Sequence, residues 1–171
     1  MAEGMVLEYQ RKDGELAHRQ KARENAILLV SFLGPYLAQQ FGLKKNNVRP
    51  GLGCTVSART GRYDLYLRVT PSPGGLWDSE TLVIARIEFK SIRKGHGRQF
   101  MTFLAECASQ VGYNKIGIEC TNESSQAFGE RFGLQQHGDS NNLLGTVEKV
   151  VEHLRTFAEF HQRTEPVKNS R

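Results

Sequence analysis

Cysteine is scarce in this sequence. Three stand among 171 residues, at positions 54, 107 and 120. The number is odd and the spacings match no zinc pattern, which argues against a disulfide framework and a structural metal. Each has apolar neighbours, so all three read as small buried hydrophobes in a reducing cytoplasm. Long hydrophobic runs are absent too. The longest patch, AILLVSFLG at 26–34, is broken by Ser31 and falls far short of the roughly 20 residues that span a bilayer. The first ten residues, MAEGMVLEYQ, lack the basic-then-apolar order of a secretion signal. A cytoplasmic protein with no membrane partner is expected. No G-x-x-x-x-G-K-[ST] loop, three-glycine dinucleotide fingerprint, zinc finger or RNA-recognition signature occurs. There is no internal repeat.

What is present is ordinary for a soluble domain: 39% hydrophobic and 24% charged residues, with a net charge of +5. The positive charge is local. Arg86, Lys90, Arg93, Lys94 and Arg98 face only Glu88 within thirteen residues. A cationic site of this kind suits an anionic ligand: nucleotide, coenzyme or nucleic acid. Against nucleic acid, aromatics do not interleave with the basic residues as a stacking platform requires.

One domain over 15–162 is expected, with a loose segment at 1–14 and a disordered tail at 163–171. Ala22, Ala26, Val30, Leu33, Leu37 and Phe41 recur at helical spacing. Gly34-Pro35 predicts a break into two helices, because proline lacks an N–H and clashes with the preceding turn. Gly42 is the expected C-terminal cap. Alternation at 54–59 and 63–69 around Thr60-Gly61 predicts a hairpin. TLVIARIEF at 81–89 predicts a central strand, KIGIECT at 115–121 another. Helices are expected over 97–111 and 125–132. A last amphipathic helix is expected over 143–161, with Leu144, Val147, Val151, Leu154 and Ala158 on its apolar stripe and Asn141 or Asn142 as N-cap.

The segment RKGHGRQF, 93–100, lies between strand and helix. The first N–H groups of a helix lack partners, and the dipole adds positive potential there. Glycines let the backbone approach a phosphate without a Cβ in the way. Gly95 and Gly97 sit at such a helix start. The next strand is followed by NESSQAFGERFGL, 122–134. Taken together, ARIEFKSIRKGHGRQFMTFL and KIGIECTNESSQAFGERFGL resemble the GNAT acetyltransferase superfamily, whose glycine loop and second helix occur in this order. Asn122, Ser125, Gly133 and Leu134 match the second motif. The resemblance spans residues 81–135.

The resemblance implies an α/β fold, a GNAT-like central mixed sheet flanked by helices, here with a helical N-terminal segment and a C-terminal amphipathic helix. It implies acetyl-coenzyme A as the cofactor and an amine-bearing small molecule or protein as substrate. The pyrophosphate would rest on the amides of Arg93, Lys94, Gly95, His96, Gly97 and Arg98, and the pantetheine arm would run beside Ile87 and Phe89. Asn122 and Ser125 would hydrogen-bond the cofactor. His96 itself is expected to project to solvent, and His137, just past the second motif, is read as a residue that could line a substrate site but is expected to be exposed. Glu88 is the first candidate for the base, with Glu119 and Glu80 behind it. Two positions depart from the family. Ile92 stands where the loop usually begins with Gln or Arg. Gly129 stands where many members place a tyrosine that protonates the thiolate, and it is read as leaving a gap for the sulfur or a water. The ends depart as well, for a missing terminal strand would leave an edge open to a partner or a second copy. Two functions follow from these features: direct N-acetyl transfer, or a catalytically silent GNAT-like protein that binds coenzyme A or a macromolecular partner.

Overall fold

The computed structural model describes residues 2–45 and 47–164. The chain forms helix α1 (Ala2–Phe41), strands β1 (Val48–Pro50), β2 (Thr55–Arg59), β3 (Tyr63–Val69) and β4 (Thr81–Phe89), helix α2 (His96–Val111), strand β5 (Lys115–Ile118), helix α3 (Glu123–Arg131), strands β6 (Gln135–Gln136) and β7 (Leu143–Thr146), and helix α4 (Val147–Thr164). The fold is mixed α/β. Its seven-stranded sheet has the order β1-β2-β3-β4-β5-β7-β6. Every neighbouring pair is antiparallel except β4 and β5, which run parallel and are joined through α2. Such a crossover is what a parallel pair demands.

One face of the sheet carries Val56, Leu65, Leu67, Leu82, Ile84, Ile116 and Ile118. These pack with Leu29, Leu33 and Leu37 of α1, Phe100 and Leu104 of α2 and Val150 of α4 in a single core. Tyr36 stacks on Phe103 between α1 and α2, with ring centroids 4.4 Å apart. Burial, with Glu106 nearby, pushes its hydroxyl up to about 12. The other face carries Ser57, Asp64, Tyr66, Arg68, Arg86 and Glu88, by the alternation of β2, β3 and β4. Trp77 covers part of it. A Cβ on Gly117 would stand 2.5 Å from the Trp77 ring, so the indole lies directly on the β5 backbone. Beside it His137 stacks on Trp77 and its Nε2 lies 3.0 Å from the Leu76 carbonyl, which corrects the expectation of an exposed histidine.

The two strands of the parallel pair part company. They are in register only from Thr81↔Lys115 to Ile84↔Ile118. On β4, the register against β3 shifts between Tyr66 and Leu67, leaving Ala85 as an extra residue. A bulge of this kind bends and twists its strand. On β5, the Glu119 N–H donates to the Ile84 carbonyl, and Cys120 then turns with a φ of 51°. Its N–H is taken by the Asn142 side chain rather than by β4. The result is a fork whose arms are residues 85–89 on one side and the start of α3 on the other.

Several expectations are corrected. The strand read over 115–121 ends at Ile118 because of the Cys120 turn. The helix read over 143–161 is strand β7 followed by α4. Leu143 is buried and Leu144 turns to the opposite face, while the Thr146 hydroxyl accepts from the Lys149 N–H at the helix start. The stripe on α4 is Val147, Val150, Leu154 and Phe157, with Ala158 exposed. Because β7 pairs with β5, no terminal strand is missing beside it. The sheet edges are instead β1, three residues ending in Pro50, and β6, two residues long. Both are poor templates for another chain. Cys107 is buried as read, but Cys54 is only half-buried and Cys120 is exposed. Residues 163 and 164 close α4, and residues 165–171 of the expected tail lie outside those described.

Helix α1 also runs without interruption through residues 2–14, read as loose, and across Pro35, read as a break. Leu33 and Leu37 anchor it on both sides of the proline, and Ser31, whose carbonyl loses its partner, lies on the exposed side with Pro35. Gly42, at φ 59°, ends it as expected, and Arg62 caps the Phe41 carbonyl. Interior proline costs a helix about 3 kcal/mol when nothing compensates. Pro35→Ala is therefore expected to raise the urea midpoint, adding about 1–3 kcal/mol. An unchanged or lower midpoint would mean the ring is itself part of the packing.

Candidate functional site

The loop after β4 turns back on two left-handed residues, Arg93 at φ 58° and Gly95 at φ 79°. Gly95 is the N-cap of α2 and no side chain caps the helix. The first bond across the turn is Gln99 N–H to the Gly95 carbonyl at 3.0 Å. The N–H groups of His96, Gly97 and Arg98 precede it and have no intrahelical partner. Positive helix potential and free donors coincide here.

The fork supplies the adjoining wall. The Lys90 N–H donates to the Arg62 carbonyl, in register with the pairs Asp64↔Glu88 and Tyr66↔Arg86. Antiparallel alternation turns the N–H and C=O of Ile87 and Phe89 the other way, into the fork. These two residues therefore offer an unpaired strand edge beside the helix start.

Helix α3 forms the far wall. Asn122 caps it by a reciprocal box: its Oδ1 accepts from the Ser125 N–H at 3.0 Å, and the Ser125 Oγ accepts from the Asn122 N–H at 2.9 Å. The box fixes where α3 begins. It also occupies the oxygens that the family resemblance would aim at a ligand, which leaves the Asn122 Nδ2 as the free polar atom of the pair.

These three walls enclose a cavity of about 840 Å³. All the residues read from sequence as cofactor contacts line it: Ile87, Phe89, Arg93 to Arg98, Asn122 and Ser125. Glu88 does not. Alternation places it on the opposite face, half exposed and paired with Lys90. Glu119 lies on that same face at the crotch of the fork. Its Oε1 accepts from Arg68 Nη2 at 2.8 Å and Nε at 3.3 Å, and only a fifth of its side chain is exposed. That hydrogen bond raises the Arg68 pKa further. Glu80 is remote, held by the Asn114 amide at the start of β5.

His96 departs from expectation. Its ring turns inward, 4.8 Å from Phe41 and 5.7 Å from Phe89 between centroids. The rings of Phe41 and Phe89 pack against it, and Gln40 reaches across to Gln99 beside it at 2.6 Å. Gly129 leaves no gap either. A Cβ there would stand 2.5 Å from Leu143 Cδ1 and 3.1 Å from Ile118 Cδ1. A tyrosine at this position would have to displace the core.

Sequence reasoning missed the interior of the cavity. Phe128, Phe132 and Phe157 line it, and Phe128 meets Phe132 edge-on at 5.1 Å. Ser124, Ala127, Phe128 and Arg131 fall on one face of α3 at spacings of three and four, a signal that was there to be read. The rim carries Arg93, Lys94, Arg98 and Arg131. Among the described residues none of these four makes an ion pair.

No family model matches the chain, and no curated protein matches it. Among solved structures, a crystal structure of a KacT mutant aligns with a TM-score of 0.38 at 16% sequence identity, over 57% of this chain and 72% of that chain. Among the described residues no helix is long and apolar enough to cross a membrane.

Because Gly129 seats α3 against β5 and β7, Gly129→Ala is expected to destabilise the protein by about 1–3 kcal/mol. Urea denaturation measures it. An unaffected midpoint would show that Leu143 moves aside freely, and that α3 is less tightly placed than its contacts imply.

Proposed function

We propose that this chain is a GNAT-like protein that binds acetyl-coenzyme A in the cavity and transfers the acetyl group directly to a primary amine. One observation carries the reading: a free helix start, a strand edge turned away from its neighbour and four cations without an ion pair among the described residues converge on one cavity. The residues present fit the coenzyme. The amides of His96, Gly97 and Arg98 suit a pyrophosphate. The inward N–H and C=O groups of Ile87 and Phe89 suit the amides of a pantetheine arm laid along the strand. A Cβ on Gly97 would stand 2.7 Å from Phe128 Cε2, so the cradle is as narrow as its glycine permits. The coenzyme would supply an activated acyl carbonyl, and the chain's own groups would position it and exclude water.

The open face of the sheet is the side from which an amine would approach. Glu119, half-buried at the crotch and held by Arg68, is better placed to accept its proton than Glu88, the first candidate from sequence. No side chain stands at Gly129 to protonate the departing sulfur. A thiol titrates near 8.5, so the thiolate is a fair leaving group without that help. The loss of that acid also favours the second reading, a catalytically silent coenzyme-binding protein.

Calorimetric titration with acetyl-coenzyme A and coenzyme A tests the cofactor. Saturable binding is expected, weakening as salt rises because the contacts are exposed charges. Lys94→Glu with Arg98→Glu should reduce affinity at least about tenfold. A folded wild-type protein that binds neither compound would sink the reading. Binding with no acetylation across an amine panel would favour the silent alternative.

A further inference from the structure

The cradle leaves one cation unexplained. Arg93, Lys94 and Arg98 lie on the loop and helix that would hold a pyrophosphate. Arg131 comes from the opposite wall, in the last turn of α3. It is exposed, lines the same cavity and has no ion pair among the described residues. Its place relative to the cradle is set by Phe128. That ring lies against Gly97, and Arg131 follows one turn later on the same helix face, about 4.5 Å along the axis. An arginine side chain spans that separation easily. The cavity thus carries cationic side chains on both walls, and the Phe128 ring lines it as well.

A ligand with a single phosphate cluster has no use for the cation on the second wall. A ligand with a pyrophosphate and a separate phosphate, held apart by a sugar, uses both. Coenzyme A has this pattern: a pyrophosphate on the ribose 5′ position and a monophosphate on the 3′ position. We propose that Arg131 binds the ribose 3′-phosphate of the coenzyme and makes the site selective for coenzyme A over its 3′-dephospho form. This rests on the coenzyme reading given above. Guanidinium suits the task because it pairs with phosphate through two parallel N–H donors, where a lysine offers a point charge. Phe128, partly exposed in the cavity and backed edge-on by the buried Phe132, supplies an apolar surface for the sugar and base.

The test crosses a deletion in the protein with a deletion in the ligand. Calorimetry would give affinities of wild type, Arg131→Ala and Arg98→Ala for coenzyme A and for 3′-dephospho-coenzyme A. Wild type should prefer coenzyme A by about tenfold, the value of one charge-assisted contact. Arg131→Ala should lose about that factor for coenzyme A, keep its affinity for the dephospho form, and so stop discriminating. Arg98→Ala should weaken both ligands alike. The proposal is overturned if Arg131→Ala weakens both ligands equally, or if wild type does not discriminate. A wild type that binds neither, while circular dichroism shows it folded, removes the coenzyme reading itself and this proposal with it.

Discussion

The fork between β4 and β5 is the constraint on which the rest depends. Parallel strands normally stay paired because each unmade backbone bond in a buried place costs free energy. Here two local features end the pairing after four residues. Ala85 is an extra residue in β4, and Cys120 holds a left-handed φ in β5. Neither is a glycine, so Cys120 keeps its conformation only because the Asn142 side chain and the Asn141 carbonyl take the N–H groups of Cys120 and Thr121. The β7 hairpin is thus the brace that holds the fork open. Its strand pairs with β5 on one side, and the loop before it secures the departing chain on the other.

The layers around the fork follow from the same geometry. Four helices cover the apolar face, and two of them, α2 and α3, begin at the fork and point their starts toward it. The opposite face is left to polar and charged side chains, apart from the strip under Trp77. At the crotch, Arg68 and Glu119 form the most protected ion pair of that face among the described residues. Aromatic packing ties the arrangement to α1 as well. Phe41 and Phe89 hold the His96 ring, so the cradle is buttressed by the C-terminal end of the longest helix.

Much of the site was legible because its parts are local. Gly95 and Gly97 sit at a strand-to-helix turn, and a turn is set by residues that neighbour one another in sequence. Asn122 followed by Ser125 announces a helix start for the same reason. Gly129 is the contrary case. Its absent side chain suggested an empty space in the sequence, whereas Leu143 and Ile118 fill that space in the fold. The β7 strand was hidden by its neighbour, since Leu143 to Val147 continues an apolar pattern into α4 and periodicity alone does not separate a short buried strand from the first turn of a helix.

The sequence by itself determined the hairpin, the central strand at 81–89, the helix behind the glycine loop and the concentration of positive charge beside it. Each depends on alternation, capping or composition within one short stretch of chain. Tertiary structure decided the remainder: that Pro35 is spanned, that His96 turns inward, that Glu119 stands at the crotch beside Arg68, and that Arg131 shares a cavity with the cradle. In every one of these cases the deciding partner lies far off in the chain. Leu37 and the sheet, Phe41 and His96, Arg68 and Glu119, and Gly97 and Phe128 are brought together only when β4, β5 and the helices between them have packed.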